Sequence, residues 1–261
     1  MKISGILTVR NGVAFDYPFI EAAESIMPIC DEFVFSEGYS EDDTMAKIEA
    51  FSDKYPGKVK IVHYDWSAKH YTDIPKSTNV GIEACTGDYY INLQADEAIH
   101  EKYLDEIVKS IQSGSDLYSC LILHFWSSFG KVFRPGVFYD EVYRVARRDK
   151  FPEIQSIWDG MTLGYASGGG FPMNMGRIDM KWLHYGYVRK PAALIAKAQN
   201  MFPWWGFDMD QRLLDRSKGY VIDWELTHPK DHLQDYREGH PKALSDWIAK
   251  REHMVTTGSL D

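Results

Sequence analysis

The sequence predicts an α/β protein: a mainly parallel sheet flanked by helices and followed by a C-terminal helical extension. Three observations carry this. Over about the first hundred residues, short apolar and β-branched runs alternate with stretches of helical spacing, the pattern of right-handed crossovers between parallel strands. One run, Tyr89 to Leu93, reads as a strand buried on both faces, and it drops abruptly into Gln94-Ala95-Asp96-Glu97. Acids at the end of a buried strand point to a metal or substrate site, because open α/β sheets hold ligands beyond the carboxyl ends of their strands.

Ile3 to Val9 is apolar enough for a central strand and ends at the polar turn Arg10-Asn11-Gly12. Apolar residues from Pro18 to Cys30 recur at helical spacing. Glu32 to Phe35 forms a second short strand, and the polar run Ser36 to Thr44 opens a helix through Phe51. Lys58 to His63 is the third strand, and Lys76 to Ala84 the helix that leads through Cys85-Thr86 into the turn at Gly87. After the fourth strand a helix runs from about His100 to Gln112, with acids in its first turn. Leu117 to Phe125 and Val137 to Val145 are longer strands that pair across a turn at Gly130 to Gly136. Beyond Lys150 the pattern loosens: Gly168, Gly169 and Gly170 mark a turned loop, and Lys181 to Val188 a last strand-like run. Helices are expected at Pro191 to Gln199, Met209 to Lys218 and Pro241 to Glu252. Residues 1–190 thus form the sheet-bearing domain, and 191–261 the helical extension packed on it.

Lys and Arg number 29 against 38 Asp and Glu, a net charge of -9, which argues against nucleic acid as a partner. Three cysteines, Cys30, Cys85 and Cys120, lack metal-ligand spacing, and the odd count fits reduced thiols in the cytoplasm. The opening MKISGILTVRN reads as a strand and not as a signal peptide. No apolar run reaches membrane-spanning length, which leaves only peripheral membrane contact open. Aromatic residues make up 14% of the chain, a composition that suits stacking on sugars or bases and equally suits core filling.

Four stretches form an ordered set: TVRN at Thr8 to Asn11, SEGYSEDDT at Ser36 to Thr44, STNVGIEACTGDYYINLQADE at Ser77 to Glu97, and LHYGY at Leu183 to Tyr187. Their order and spacing resemble the family-2 glycosyltransferases of the GT-A fold, particularly small bacterial and viral members with a DADE-like motif. The resemblance covers the first hundred or so residues well and the remainder loosely. It implies transfer of a sugar from a nucleoside-diphosphate sugar donor to a carbohydrate or surface-glycan acceptor, with inversion at the anomeric carbon. It also implies a divalent cation, Mn2+ or Mg2+, with Asp96 as first ligand and His184 as a second. Donor contacts fall to Thr8, Arg10, Glu37, Lys76, Asn79, Gln94 and Asp96.

The chain departs from the family pattern at three places. Gln94 stands where the first acid of the metal motif is usual, Thr78 where an Arg usually precedes Asn79, and Glu37 where the turn has its second acid. Lys76 is the nearby cation available in place of that Arg.

The chemistry asks for the same parts. Charge grows on the departing diphosphate, and a cation in a shell of hard oxygens offsets it; one or two carboxylates suffice because phosphates and water complete the shell. An imidazole ligand favours Mn2+. Asp96 is equally suited to cap the next helix, and His184 to be a hydrogen-bonded core residue. Glu37 would accept from a nucleobase edge, while Thr8 and Arg10 meet base or ribose. Glu41 and Asp43 read as a solvated helix start.

Inverting transfer needs one base to take the acceptor hydroxyl's proton. The strand end Tyr143 to Arg148 resembles the family's, and Asp159 in Trp158-Asp159-Gly160 falls where the family often has His-Glu. Asp159 is therefore the base candidate, with Asp140 and Glu141 in reserve, although Trp-Asp-Gly is also an ordinary turn. Trp204-Trp205 suits an acceptor sugar, a membrane surface or the core, and His228, His232 and His240 are structural. Two other classes compete: a non-catalytic nucleotide- or sugar-binding module, which Gln94 and Thr78 make plausible, and a nucleotidyltransferase, for which Arg10-Asn11-Gly12 is a poor phosphate loop.

Overall fold

The protein is described here by a computed structural model covering residues 1–167, 170–205, 214–215, 221–222 and 230–257. Strand β1 (Ile3–Val9) is buried along its whole length, and side chains alternate across it. Ile3, Leu7 and Val9 pack on one face with helix α1 (Phe19–Ile26), while Ile6 faces the other way. Strand β2 (Glu32–Glu37) repeats the division, with Phe33 and Phe35 on the first face and Val34 on the second. Helix α2 (Thr44–Lys54) adds Ile48 and Phe51 to the first face. Strand β3 (Val59–His63) closes that edge, helix α3 (Asp73–Ala84) crosses the second face, and strand β4 (Tyr89–Gln94) returns to the centre beside β1. All four strands are parallel, so their carboxyl ends share one side. That arrangement is what the sequence predicts.

The second half is more antiparallel than its sequence suggests. A three-residue strand, β5 (Glu97–Ile99), stands between the acids and helix α4 (Leu104–Ile111), which starts a turn later than expected after a 3-10 segment at Glu101–Tyr103. Strand β6 (Leu117–Trp126) pairs antiparallel with β8 (Glu141–Arg147), as predicted, but the intervening turn contains a short strand, β7 (Lys131–Phe133). A hairpin of β9 (Ile154–Ile157) and β10 (Thr162–Tyr165) follows. Strand β11 (Met175–Tyr187) begins six positions before the expected Lys181; it lies parallel to β6 and antiparallel to β5.

Helix α5 (Pro191–Met201) matches its prediction. Most of the expected helix at Met209 to Lys218 lies outside the described residues. Within that range Leu214–Asp215 forms a strand, β12, paired with β13 (Val221–Ile222). Of the expected glycine loop, Gly168 and Gly169 also lie outside, whereas Gly170 adopts a φ of +99°, a left-handed conformation natural to glycine. Strand β14 (Leu233–Asp235) adds to the sheet edge beside β7. The last predicted helix is broken into a 3-10 turn at Lys242–Leu244, α6 (Ser245–Ala249) and α7 (Glu252–Thr257), with Leu244 and Trp247 buried against Phe129 and Tyr185. Cys30, Cys85 and Cys120 are all buried and unbridged.

Candidate active site

The side chains of interest converge beyond β4, where β5 and β11 bring a second set of residues alongside. The Asp96 carbonyl accepts from the Tyr185 amide at 2.7 Å, which fastens the QADE turn to the end of β11. Asp96 is 5% exposed, and its Oδ1 lies 3.8 Å from His184 Nε2. Its Oδ2 lies 3.6 Å from the ammonium of Lys197 on α5. Burial works against a charge here. Lys197, reinforced by His184 and Arg189, overrides it and holds the carboxyl down at about 2. Lys197 and Arg189 carry most of that effect at neutral pH, because burial pushes the His184 imidazole down to about 3 and leaves it neutral.

His184 faces His124 in the β6–β11 ladder, and their Nδ1 atoms are 2.9 Å apart. The Nε2 of His124 is 2.9 Å from the Tyr139 carbonyl, and burial lowers this imidazole too, to about 4. Gly186 is required where it stands: a Cβ there would come within 2.4 Å of His184 Nε2 and 3.2 Å of Asp96 Oδ2. A side chain at residue 186 would therefore push into the space beside both groups.

Glu97, next to Asp96, does a different job. It is fully buried and bonded to Arg144 at 2.6 Å, to the Trp182 indole N–H at 2.9 Å and to the Gln94 amide at 2.9 Å. Burial raises its pKa while Arg144 opposes the rise. Arg144 reaches on to the Gly160 carbonyl at 3.1 Å, which also accepts from Gln94 Nε2 at 3.0 Å. The turn holding Asp159 is thus pinned to the end of β4. Trp158 and Gly160 have φ of +56° and +84°, so the turn is set sharply. Asp159 is half-buried, and among the described residues its Oδ1 accepts only the Met161 amide, at 3.3 Å.

The remaining predicted donor residues are placed less simply. The Thr8 hydroxyl lies 3.1 Å from that of Thr78, on the α3 face of the sheet. Arg10 follows β1 and pairs with Glu41 at 3.1 Å, and Lys76 is exposed on α3. Glu37 anchors its own turn. It is 2% exposed and accepts from the amides of Tyr39 and Ser40 at 2.9 and 2.6 Å, with His63 Nδ1 at 3.1 Å. Asn79 likewise bonds to the protein itself. Its carboxamide donates to the Ser156 carbonyl and Gln155 and accepts from the Ser156 amide at 2.8 Å, clamping α3 to β9. Asn79→Ala should therefore lower stability by about 1–3 kcal/mol, since it strands a buried amide, and leave nucleotide affinity unchanged. Urea melts beside a binding titration check this; lost affinity at full stability would assign Asn79 a ligand role instead.

The sequence model of glycosyl transferase family 2 matches residues 21–174. The chain belongs to this family. Among solved structures, a 1–349 fragment of S. aureus TarS in complex with UDP is 13% identical, over 85% of this chain and 75% of that one, with a TM-score of 0.50. The longer S. aureus TarS chain gives 14% identity and the same TM-score, over 77% of this chain and 40% of that one. Glucosyl-3-phosphoglycerate synthase from Mycobacterium tuberculosis, in complex with Mn2+, UDP and glucosyl-3-phosphoglycerate, is 14% identical over 70% and 71%, with a TM-score of 0.47. A search of curated proteins finds no match. At such identities the likeness is one of fold, and the fold is GT-A.

Within this glycosyltransferase, sequence reasoning missed the residues that act at long range. Lys197 and Arg189 supply the positive potential at Asp96, and His124 stands behind His184. None has a signal in local spacing. Arg189 is fully buried, donates to the carbonyls of Gly186 and Phe15 and lies over the Tyr17 ring at 4.4 Å. Trp204 is half-buried and meets Trp66 edge-on at 6.0 Å. Among the described residues no helix is long and apolar enough to cross a membrane.

Proposed function

We propose that the chain transfers a sugar from a nucleoside-diphosphate sugar to a carbohydrate acceptor, with inversion and with a divalent cation held by Asp96 and His184. The observation that carries this is the Asp96–His184 pair. Oδ1 and Nε2 face each other at 3.8 Å, too far for a hydrogen bond, with the space of Gly186 beside them. A carboxylate with an imidazole suits Mn2+ and serves for Mg2+. Among the described residues no group of three or more His, Cys, Asp or Glu could hold a metal. Phosphate oxygens of the donor and water would then fill the rest of the shell. When bound, the cation offsets the charge growing on the leaving diphosphate.

The chain's own residues do the rest. Lys197 and Arg189 keep the potential positive where the diphosphate departs, and Thr8, Arg10 and the turn that Glu37 anchors receive base and ribose. Asp159 takes the acceptor hydroxyl's proton from the position to which Gly160 is pinned. Residues 1–190 carry these parts except Lys197, which the segment 191–261 contributes. Buried free cysteines fit a cytoplasmic setting, and peripheral contact with a membrane would fall to the Trp204 region.

The test is thermal stabilisation by UDP, GDP, CDP and dTDP, each with and without Mn2+ or Mg2+. At a hundredfold excess over Kd the matching nucleotide adds about 2.7 kcal/mol, and UDP comes first because a TarS structure of this fold holds it. No metal-dependent shift with any of the four ends the reading. Asp159→Asn should then lower kcat by about 10²–10⁴ at unchanged nucleotide affinity. Full turnover would remove Asp159 as base and leave that role to another acid.

A further inference from the structure

The hydrogen bonds around His124 fix more than its own position. Tyr139 offers His124 Nε2 a carbonyl, which only accepts, so that nitrogen carries the proton. A neutral His124 then has a lone pair on Nδ1, and the partner 2.9 Å away, His184 Nδ1, must be the donor. With its proton on Nδ1, a neutral His184 has a bare lone pair on Nε2, the atom that faces Asp96 at 3.8 Å. Both rings are held by packing, crossing each other at 74°: His124 packs edge-on to Tyr139 and Phe138, and His184 edge-on to Tyr187.

We infer that His124 is a positioning residue that sets the tautomer of His184 and so keeps Nε2 open as a ligand atom. Left without it, an imidazole beside a carboxylate turns its N–H toward the carboxylate. His184 would then carry its proton on Nε2 and share it with Asp96, converting two facing acceptors into a hydrogen-bonded pair with no lone pair for a cation. His124 removes that option by taking the one proton on the other side of the ring. Outer partners of metal-bound histidines act in this way, and their loss weakens metal binding by about ten- to a hundredfold. The inference rests on the proposal that Asp96 and His184 hold the cation.

Three proteins decide it: wild type, His124→Phe, which fills the space without an acceptor, and His124→Asn, whose carboxamide keeps one acceptor and one donor. Long-range proton–nitrogen NMR on the metal-free proteins should show His184 protonated on Nδ1 in wild type and on Nε2 in His124→Phe. Electron paramagnetic resonance of free Mn2+, without any nucleotide, should show binding about ten- to a hundredfold weaker in His124→Phe, with most of the loss recovered in His124→Asn. Wild-type-like circular dichroism of the variants separates this from general unfolding. Unchanged tautomer and unchanged Mn2+ affinity in His124→Phe would overturn the inference while leaving the metal reading intact. If wild type binds no Mn2+, the metal reading fails. The NMR comparison still decides the tautomer, and His184 protonated on Nε2 in wild type would overturn the role of His124.

Discussion

Asp96→Asn is expected to remove the metal-dependent part of nucleotide binding and to lower turnover about a thousandfold. An amide oxygen is a weak ligand for a divalent cation, and the amide N–H₂ would point a donor at it. Lewis-acid stabilisation of a leaving diphosphate is worth several kcal/mol, and about 1.4 kcal/mol corresponds to each factor of ten in rate. The same substitution has a signature in stability. The Asp96 carboxyl sits at about 2, below its ordinary 3.8. A depressed carboxylate contributes stability above its unfolded value and loses it as pH falls through the folded one. Wild type should therefore lose part of its stability between about pH 4 and about pH 2, a component that Asp96→Asn lacks. At neutral pH the loss from leaving Lys197 unpaired is modest, because its side chain is 26% exposed and water can take the carboxylate's place. Melts across that range, with and without Mn2+ and nucleotide, separate the two effects. Metal-dependent stabilisation that survives in Asp96→Asn would move the site elsewhere.

The parts of the fold that were legible share one property: their signal is local and repeated. Ile3 to Val9 is buried end to end, and a parallel strand with both faces covered must read as an apolar run. Asp96 stands out in the sequence because such a run stops at an acid. Strand β5 was invisible because three residues carry no period, and β9 and β10 because four barely do. The early start of β11 did have a signal: Ile178, Met180 and Trp182 alternate with Arg177, Asp179 and Lys181, and the buried members are the apolar ones.

Site residues were legible only as types. Glu37 and Asn79 are polar residues near the cleft, but whether such a side chain meets a ligand or a backbone depends on segments far away in sequence. For Asn79 the partner lies 77 residues on. His124 and Lys197 were missed for the same reason, since nothing in a strand or helix of ordinary composition announces a contact made across 60 residues or more.

The second large effect is structural and lies beside the first. Arg144→Met should destabilise the protein by about 3–5 kcal/mol, because it leaves the fully buried Glu97 carboxylate without its charge partner. Lysine would not repair this: one ammonium cannot reach both Glu97 Oε1 and the Gly160 carbonyl, which the guanidinium does with two separate nitrogens. Glu97→Gln combined with Arg144→Met should recover a large share of the loss, since the two residues are in contact and their effects are not additive. The paired removal also tests what the pair is for. If it serves stability alone, the double variant regains turnover along with its urea midpoint. If it holds the Asp159 turn, the double variant regains the midpoint but not kcat, because the Gly160 carbonyl loses the Arg144 donor and keeps the Gln94 carboxamide. We expect the second result, with nucleotide affinity unaltered in both proteins. Arg144→Met with a wild-type midpoint would show that the buried pair contributes nothing net to the fold.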